Sequence, residues 1–256
     1  MLLCTVRTCH EPLRREARRY VCPRGHSFDI ARSGYVNLLQ PNERRSRAPG
    51  DSAEAVAARR RVWERFGVIL SEAKDLLRQG VPRSARHDTV LDVGCGDGYW
   101  LSQIDAEERA GIDISVPAIE AAAKRYPNDL WIVANADRFI PFSDASFDAV
   151  MSITARLNDA EFRRVLRDDG WLLVAVAAPD DLSPRDRVPR TIDDFPSFTL
   201  LEHRRVTSKA MVDVADARLS TYRGRGARRA PEELTLSLDL LLFAPKSRGT
   251  PGGSSP

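Results

Sequence analysis

Two rhythms of hydrophobic and polar residues divide this chain. From about residue 85 onward, short β-rich apolar runs alternate with helical stretches, the pattern of parallel strands joined by crossover helices. The runs Thr89–Val93, Arg109–Ile112, Leu130–Ala134, Phe147–Ile153, Trp171–Ala177, Phe198–Val206 and Leu234–Phe243 predict seven strands. Residues 1–37 show only short strand-like runs. A loop from Gln40 to Asp51, with Pro41, Pro49 and Gly50, leads into a helix from about Ser52. Ser52 suits an N-cap, and Ala53-Glu54-Ala55 are good helix formers. The pattern therefore predicts a small module over 1–37, a basic linker and helical segment over 38–84, an α/β domain over 85–246, and a Gly/Pro/Ser-rich disordered tail over 247–256.

Composition adds two constraints. The longest apolar run, Trp171 to Ala178, is far too short to span a bilayer, and the arginine-bearing N-terminus lacks the apolar core of a signal peptide. The expected compartment is the cytoplasm, without membrane association. The net charge of +3 hides an asymmetry: residues 1–61 carry 13 arginines against 6 acidic residues, whereas the remainder carries 26 basic against 30 acidic ones. Clustered arginine near the N-terminus fits a polyanionic partner, because guanidinium pairs with phosphate bidentately and counterion release favours the complex.

The apolar strand Val90–Val93 runs into Asp92-Val93-Gly94-Cys95-Gly96-Asp97-Gly98. Glycines let backbone turn sharply and approach a ligand, and a helix expected from Tyr99 would present free N–H groups to it. Such a loop alone implies only a nucleotide-type cofactor. Asp113, with Ile114 after it, ends the next strand 21 residues beyond Asp92, where an acid can bond ribose hydroxyls. Asn135 and Ala136 end the third strand ahead of Pro141-Phe142, and an amide there can reach an adenine amine. Phe147-Asp148-Ala149-Val150 supplies the fourth strand. This order resembles the class I methyltransferases, a Rossmann-like fold. The resemblance implies S-adenosylmethionine, bound by Asp92, Gly94, Gly96, Asp97, Gly98, Asp113, Ile114, Asn135 and Ala136. Cys95 reads as a small packing residue.

Cys4, Cys9, Cys22 and His26 can form a closed tetrahedral zinc site. With four protein ligands and no open position, the zinc would be structural and would stabilise a piece too short for a core of its own. The spacing suits a zinc-ribbon-like hairpin around Leu13–Tyr20. His10 is the alternative to Cys9.

Together these residues resemble the RlmA-type 23S ribosomal RNA guanine-N1 methyltransferases, a family that includes macrolide-resistance enzymes. The resemblance covers about residues 1–178. It is most specific at His26-Ser27-Phe28-Asp29, at Gly34-Tyr35-Val36-Asn37-Leu38-Leu39, in Arg45–Ser52 with Arg59-Arg60, and in Ala118–Pro127. It implies a 23S rRNA or ribosomal-precursor partner gripped by Arg44, Arg45 and Arg47, and a homodimer forming one RNA cleft. Four departures stand out. The first cysteine pair is two residues longer than the family's Cys-x2-Cys. Phe66-Gly67-Val68 replaces a Gly-His-Tyr segment. Pro179-Asp180-Asp181-Leu182 replaces Pro-x-x-His-Leu. Residues 183–234, which usually help wall the base pocket, match poorly. No catalytic residue is assigned; Arg156, Asp180 and Asp181 are candidates only. Two other readings fit the same residues: a methyltransferase for another RNA nucleotide, a small molecule or a protein, and an RNA-binding regulatory protein with impaired catalysis.

Overall fold

The computed structural model describes residues 1–7, 9–43, 49–80, 89–178, 195–220 and 233–247. The disordered tail expected from Ser247 falls, from 248 on, outside the described residues. The N-terminal module holds a three-stranded antiparallel sheet of β1 (Arg14–Arg15), β2 (Arg19–Val21) and β3 (Ser27–Asp29). The β1–β2 hairpin lies where the cysteine spacing placed one. Further elements precede the main domain's first strand. β4 (Val36–Asn37) is short, and α1 (Ala53–Arg65) is followed by α2 (Gly67–Gly80). The Ser52 hydroxyl accepts from the Ala55 N–H at 3.2 Å, the N-cap that the sequence predicts.

The main domain continues as β5 (Thr89–Val93), β6 (Glu108–Asp113), α3 (Val116–Arg125), β7 (Leu130–Val133), β8 (Phe147–Ile153), α4 (Asp159–Val165), β9 (Leu166–Ala177), β10 (Phe198–Met211), α5 (Val214–Ser220) and β11 (Glu233–Pro245). They form one sheet in the order β10-β11-β9-β8-β5-β6-β7-β4. All neighbours from β9 to β4 are parallel, while β11 lies antiparallel between β9 and β10. This is the α/β, class I methyltransferase topology: seven strands come from the predicted runs. The eighth, β4, comes from the Gly34–Leu39 block and extends the edge beside β7. No described helix is long and apolar enough to cross a membrane.

Strand alternation splits the core between the two sheet faces. Val90, Trp131, Val133, Met151 and Leu173 pack with Val62, Phe66, Ile69, Leu76 and Ile119 of α1 to α3. Leu91, Val93, Ile132, Val150 and Leu172 pack with Phe162 and Val165 of α4 and with Leu2, Cys4, Leu13 and Phe28 of the N-terminal module. The module thus covers part of one sheet face. Its first residues bond to the loop before β8: the Leu3 N–H donates to the Pro141 carbonyl at 2.9 Å, and the Ser143 N–H donates to the Met1 carbonyl at 2.9 Å.

One expectation fails. In place of a helix from Tyr99, the chain makes a single 3-10 turn at Leu101–Gln103. Too few residues separate Gly98 from β6 at Glu108 for a longer helix and a return to the sheet.

Leu38 is fully buried beyond β4, and its N–H donates to the Val133 carbonyl at 2.9 Å. Leu38→Ala is expected to cost about 2–5 kcal/mol through the cavity it leaves, measured by urea denaturation of the zinc-loaded protein.

Candidate cofactor and metal sites

The metal cluster is built by two tight turns. Gly25, at φ +83°, closes Cys22–His26, with its N–H on the Cys22 carbonyl at 2.9 Å and the Cys22 N–H on the His26 carbonyl at 3.0 Å. In the longer first turn, the Cys9 N–H donates to the Val6 carbonyl at 3.0 Å, and Arg7 and His10 adopt left-handed backbone at φ 44° and 47°. The four ligand atoms of Cys4, Cys9, Cys22 and His26 lie within 4.8 Å of one another. Cys9 Sγ and Cys22 Sγ are 3.9 Å apart, and His26 Nδ1 is 3.4 Å from both Cys4 Sγ and Cys22 Sγ. A tetrahedral zinc bonded at about 2.3 Å to sulfur and 2.0–2.1 Å to nitrogen spaces its ligands by about 3.5–3.8 Å, so the donor set fits structural Zn2+. His10 takes no part: its ring stacks on Phe139, centroids 4.1 Å apart and 8° from parallel.

The glycine loop sits at the C-terminal ends of the parallel strands, where such sheets bind ligands. Gly94, Gly96 and Gly98 all have positive φ, at 80°, 57° and 77°. A side chain at Gly94 would strike Ala155 Cβ at 2.3 Å, and one at Gly98 would strike Trp131 Cη2 at 2.4 Å, so both glycines let the loop lie flat on its neighbours. At Gly96 an added Cβ meets nothing within 4 Å, which leaves open space at the loop's tip. Asp113 receives the Gly96 N–H at 3.0 Å and the Ser115 N–H at 2.8 Å. Burial raises its pKa, and those two N–H groups oppose the rise. Asp92 is almost wholly buried, and its Oδ1 has no partner. Burial, with the nearby Asp113 charge, pushes its carboxyl up to about 8. The partly buried Asp113, fixed by two N–H groups beside the open glycine tip, could bond the ribose hydroxyls of a nucleoside such as S-adenosylmethionine. Cys95 is buried in this core cluster.

The remaining predicted residues fall around the same strand ends. The Asn135 carboxamide accepts from the Asp137 N–H at 3.1 Å and donates to the Glu43 carbonyl at 3.5 Å. The Ala136 carbonyl is fixed by Asn158 Nδ2 at 3.0 Å. Ile114 packs partly buried against the core. Asp97 has a different engagement: its carboxylate bonds Arg125 and lies 3.4 Å from Arg60 Nη1. Arg60 also donates to Tyr126 Oη at 3.1 Å and sits 4.6 Å above the Tyr99 ring. Asp97 therefore ties α1 and α3 to the loop. The pair Arg59-Arg60 was visible in the sequence; its partner, 37 residues away, was not. Gly50, at φ +83°, also presses the linker on Ser115, whose hydroxyl donates to the Asp51 carbonyl at 2.7 Å.

At the end of β8, Ser152 is buried with an unpartnered hydroxyl, and Thr154 holds a left-handed φ of 52°, a strained conformation for a β-branched residue. Arg156, mostly exposed, reaches Asp137 at 3.4 Å. Arg44, Arg45, Arg47, Asp180 and Asp181 lie outside the described residues.

Comparison with known proteins separates the same two parts. Residues 4–47 match the family described as "RlmA, N-terminal", a zinc ribbon, and residues 90–170 match "Methyltransferase domain". The chain is 37% identical to a "Putative 23S rRNA (guanine-N(1)-)-methyltransferase" of Micromonospora griseorubida, over 68% of this chain and 65% of that protein. It is 33% identical to the "23S rRNA (guanine(748)-N(1))-methyltransferase" of Streptomyces fradiae, over 68% and 63%. A third relative, YxjB of Bacillus subtilis, carries the same kind of name and is 36% identical over 62% and 58%. The chain thus spans slightly less than two thirds of the length of these relatives. The resemblance read from the cysteine cluster and the Gly34–Leu39 block holds.

Asp92 also sets a pH dependence. An unfolded aspartate titrates near about 3.9, so between there and pH 8 the folded chain keeps a proton that the unfolded chain has lost. Stability therefore falls as pH rises through that window, by about 1.4 kcal/mol per pH unit for one such proton. Asp92→Asn is expected to flatten that slope, compared by urea unfolding at pH 5 and pH 8.

Proposed function

We propose that this chain, which joins an RlmA-type zinc ribbon to a class I methyltransferase domain, transfers the methyl group of S-adenosylmethionine to N1 of a guanine in 23S rRNA. The observation that carries the reading is the pairing of the two parts: the ribbon that matches residues 4–47 is docked on the sheet that holds the cofactor loop. The open tip at Gly96 and the acids Asp92 and Asp113 support an active enzyme over an impaired one.

Bound S-adenosylmethionine supplies a methyl group already activated on a sulfonium. The chain's task is then alignment. Gly94, Gly96 and Gly98 bring backbone close to the cofactor, Asp113 holds the ribose hydroxyls, and Asn135 meets the adenine edge. Asp97 serves that arrangement indirectly, by fastening the loop to Arg60 and Arg125. The target base, splayed from folded RNA, enters at the C-terminal end of β8, where the exposed Thr154 offers a hydroxyl to its edge. The N1 proton needs an acceptor, and a threonine hydroxyl is no base near neutral pH. The basic linker Arg44, Arg45 and Arg47 contributes phosphate contacts, and two chains share one RNA cleft.

Mass-spectrometric mapping of 23S rRNA from cells with and without the gene tests the reading. One 1-methylguanosine is expected to vanish with the gene and to return with the wild-type chain, but not with Asp113→Ala. An unchanged modification profile would overturn it.

A further inference from the structure

The zinc knuckle touches the same loop that carries Asn135, and it does so along two routes. The first runs through His10, the residue after the ligand Cys9. Its left-handed backbone, at φ 47°, lays the imidazole flat on Phe139, with centroids 4.1 Å apart. The Arg164 guanidinium lies over the same ring at 4.8 Å. The Phe139 N–H donates to the Asn135 carbonyl at 3.2 Å, and the Arg138 N–H donates to it at 3.1 Å. Fixing the Phe139 ring thus fixes the turn that begins at Asn135.

The second route runs through Thr5, next to the ligand Cys4. The buried Thr5 hydroxyl donates to the Leu38 carbonyl at 2.6 Å and accepts from Gln40 Nε2 at 3.0 Å. Gln40 is joined to Glu43, whose carboxylate accepts the Gln40 N–H at 3.0 Å. The Glu43 carbonyl in turn receives Asn135 Nδ2 at 3.5 Å. Asn135 is therefore held from its backbone by one arm of the knuckle and from its side chain by the other.

We infer that the zinc knuckle is a structural wall of the cofactor site, and that His10 is a positioning residue which sets the Asn135 turn for the adenine end of S-adenosylmethionine. This rests on the proposed function for the identity of the cofactor. It assigns the metal module a task separate from gripping RNA: the ribbon acts on cofactor affinity with no RNA present. A left-handed non-glycine residue carries a backbone cost, and the Phe139 stack is the contact that the strained geometry makes.

The test uses the full-length, zinc-loaded protein and S-adenosylmethionine itself in isothermal titration calorimetry, with zinc content measured on each sample by atomic absorption. His10→Ala is expected to keep its zinc, since His10 is no ligand, and to raise the Kd about tenfold, within the usual range for coupled sites. His10→Phe, which can still stack, is expected to restore binding to within about threefold of wild type. Hydrogen exchange at residues 135–141 is expected to quicken in His10→Ala and not in His10→Phe. His10→Ala that keeps both its zinc and a wild-type Kd would overturn the inference. If His10→Ala loses zinc or fails to fold, Phe139→Leu decides: it leaves the knuckle intact, a weakened Kd supports the inference, and an unchanged Kd sinks it. A wild-type chain that binds no S-adenosylmethionine would instead defeat the functional reading on which this rests.

Discussion

The whole arrangement depends on two residues, Val36 and Asn37, lying parallel to β7. The chain before them is too short to enclose a core, and its three-stranded sheet contains strands of only two or three residues. A metal can close such a piece but cannot orient it. Pairing on β7, continued by the Leu38 N–H on Val133, fixes its register on the large sheet, and Leu2, Leu13 and Phe28 then share the core of that sheet's face. The ribbon is consequently part of the methyltransferase body rather than a bead on a tether.

That docking explains why the linker matters to the cofactor loop. After β4 the chain must cross the C-terminal ends of the strands to reach α1. It is clamped on the way at Gly50 and Asp51 against Ser115, beside Asp113. The first turns of α1 then supply Arg59 to Asp51 and Arg60 to Asp97. The described linker residues Gly50 and Asp51 and the helix α1 thus border the glycine loop, and Arg59 and Arg60 hold these parts together.

Much of this was legible in the sequence because the signals are local. The seven strand runs, the Ser52 cap, the glycine loop and the four metal ligands each depend on residue type and short spacing, and the structure places all of them close to where the pattern put them. The helix expected after Gly98 does not form, because the short chain left before β6 decides the matter. The partnerships of Asp97 with Arg60 and Arg125, and of His10 with Phe139, join residues distant in sequence. No spacing rule reveals them. His10 illustrates the ambiguity well: beside Cys9 it could be a ligand, and only its left-handed backbone and the Phe139 ring show that it is a stacking group. The bond from the Asn135 carboxamide to the Glu43 carbonyl was invisible for the same reason.

The short turn after the glycine loop has a consequence for which molecules the site refuses. Dinucleotide-binding folds neutralise a diphosphate at the N-terminus of a long helix, where free N–H groups and aligned peptide dipoles meet the negative charge. Here that helix is reduced to Leu101–Gln103, and the loop is backed by the buried Asp92 and the partly buried Asp113. A diphosphate would find no compensating dipole there. Without that helix the site lacks the feature by which such folds hold a diphosphate, so a shared adenosine is not enough to bind NAD-like molecules.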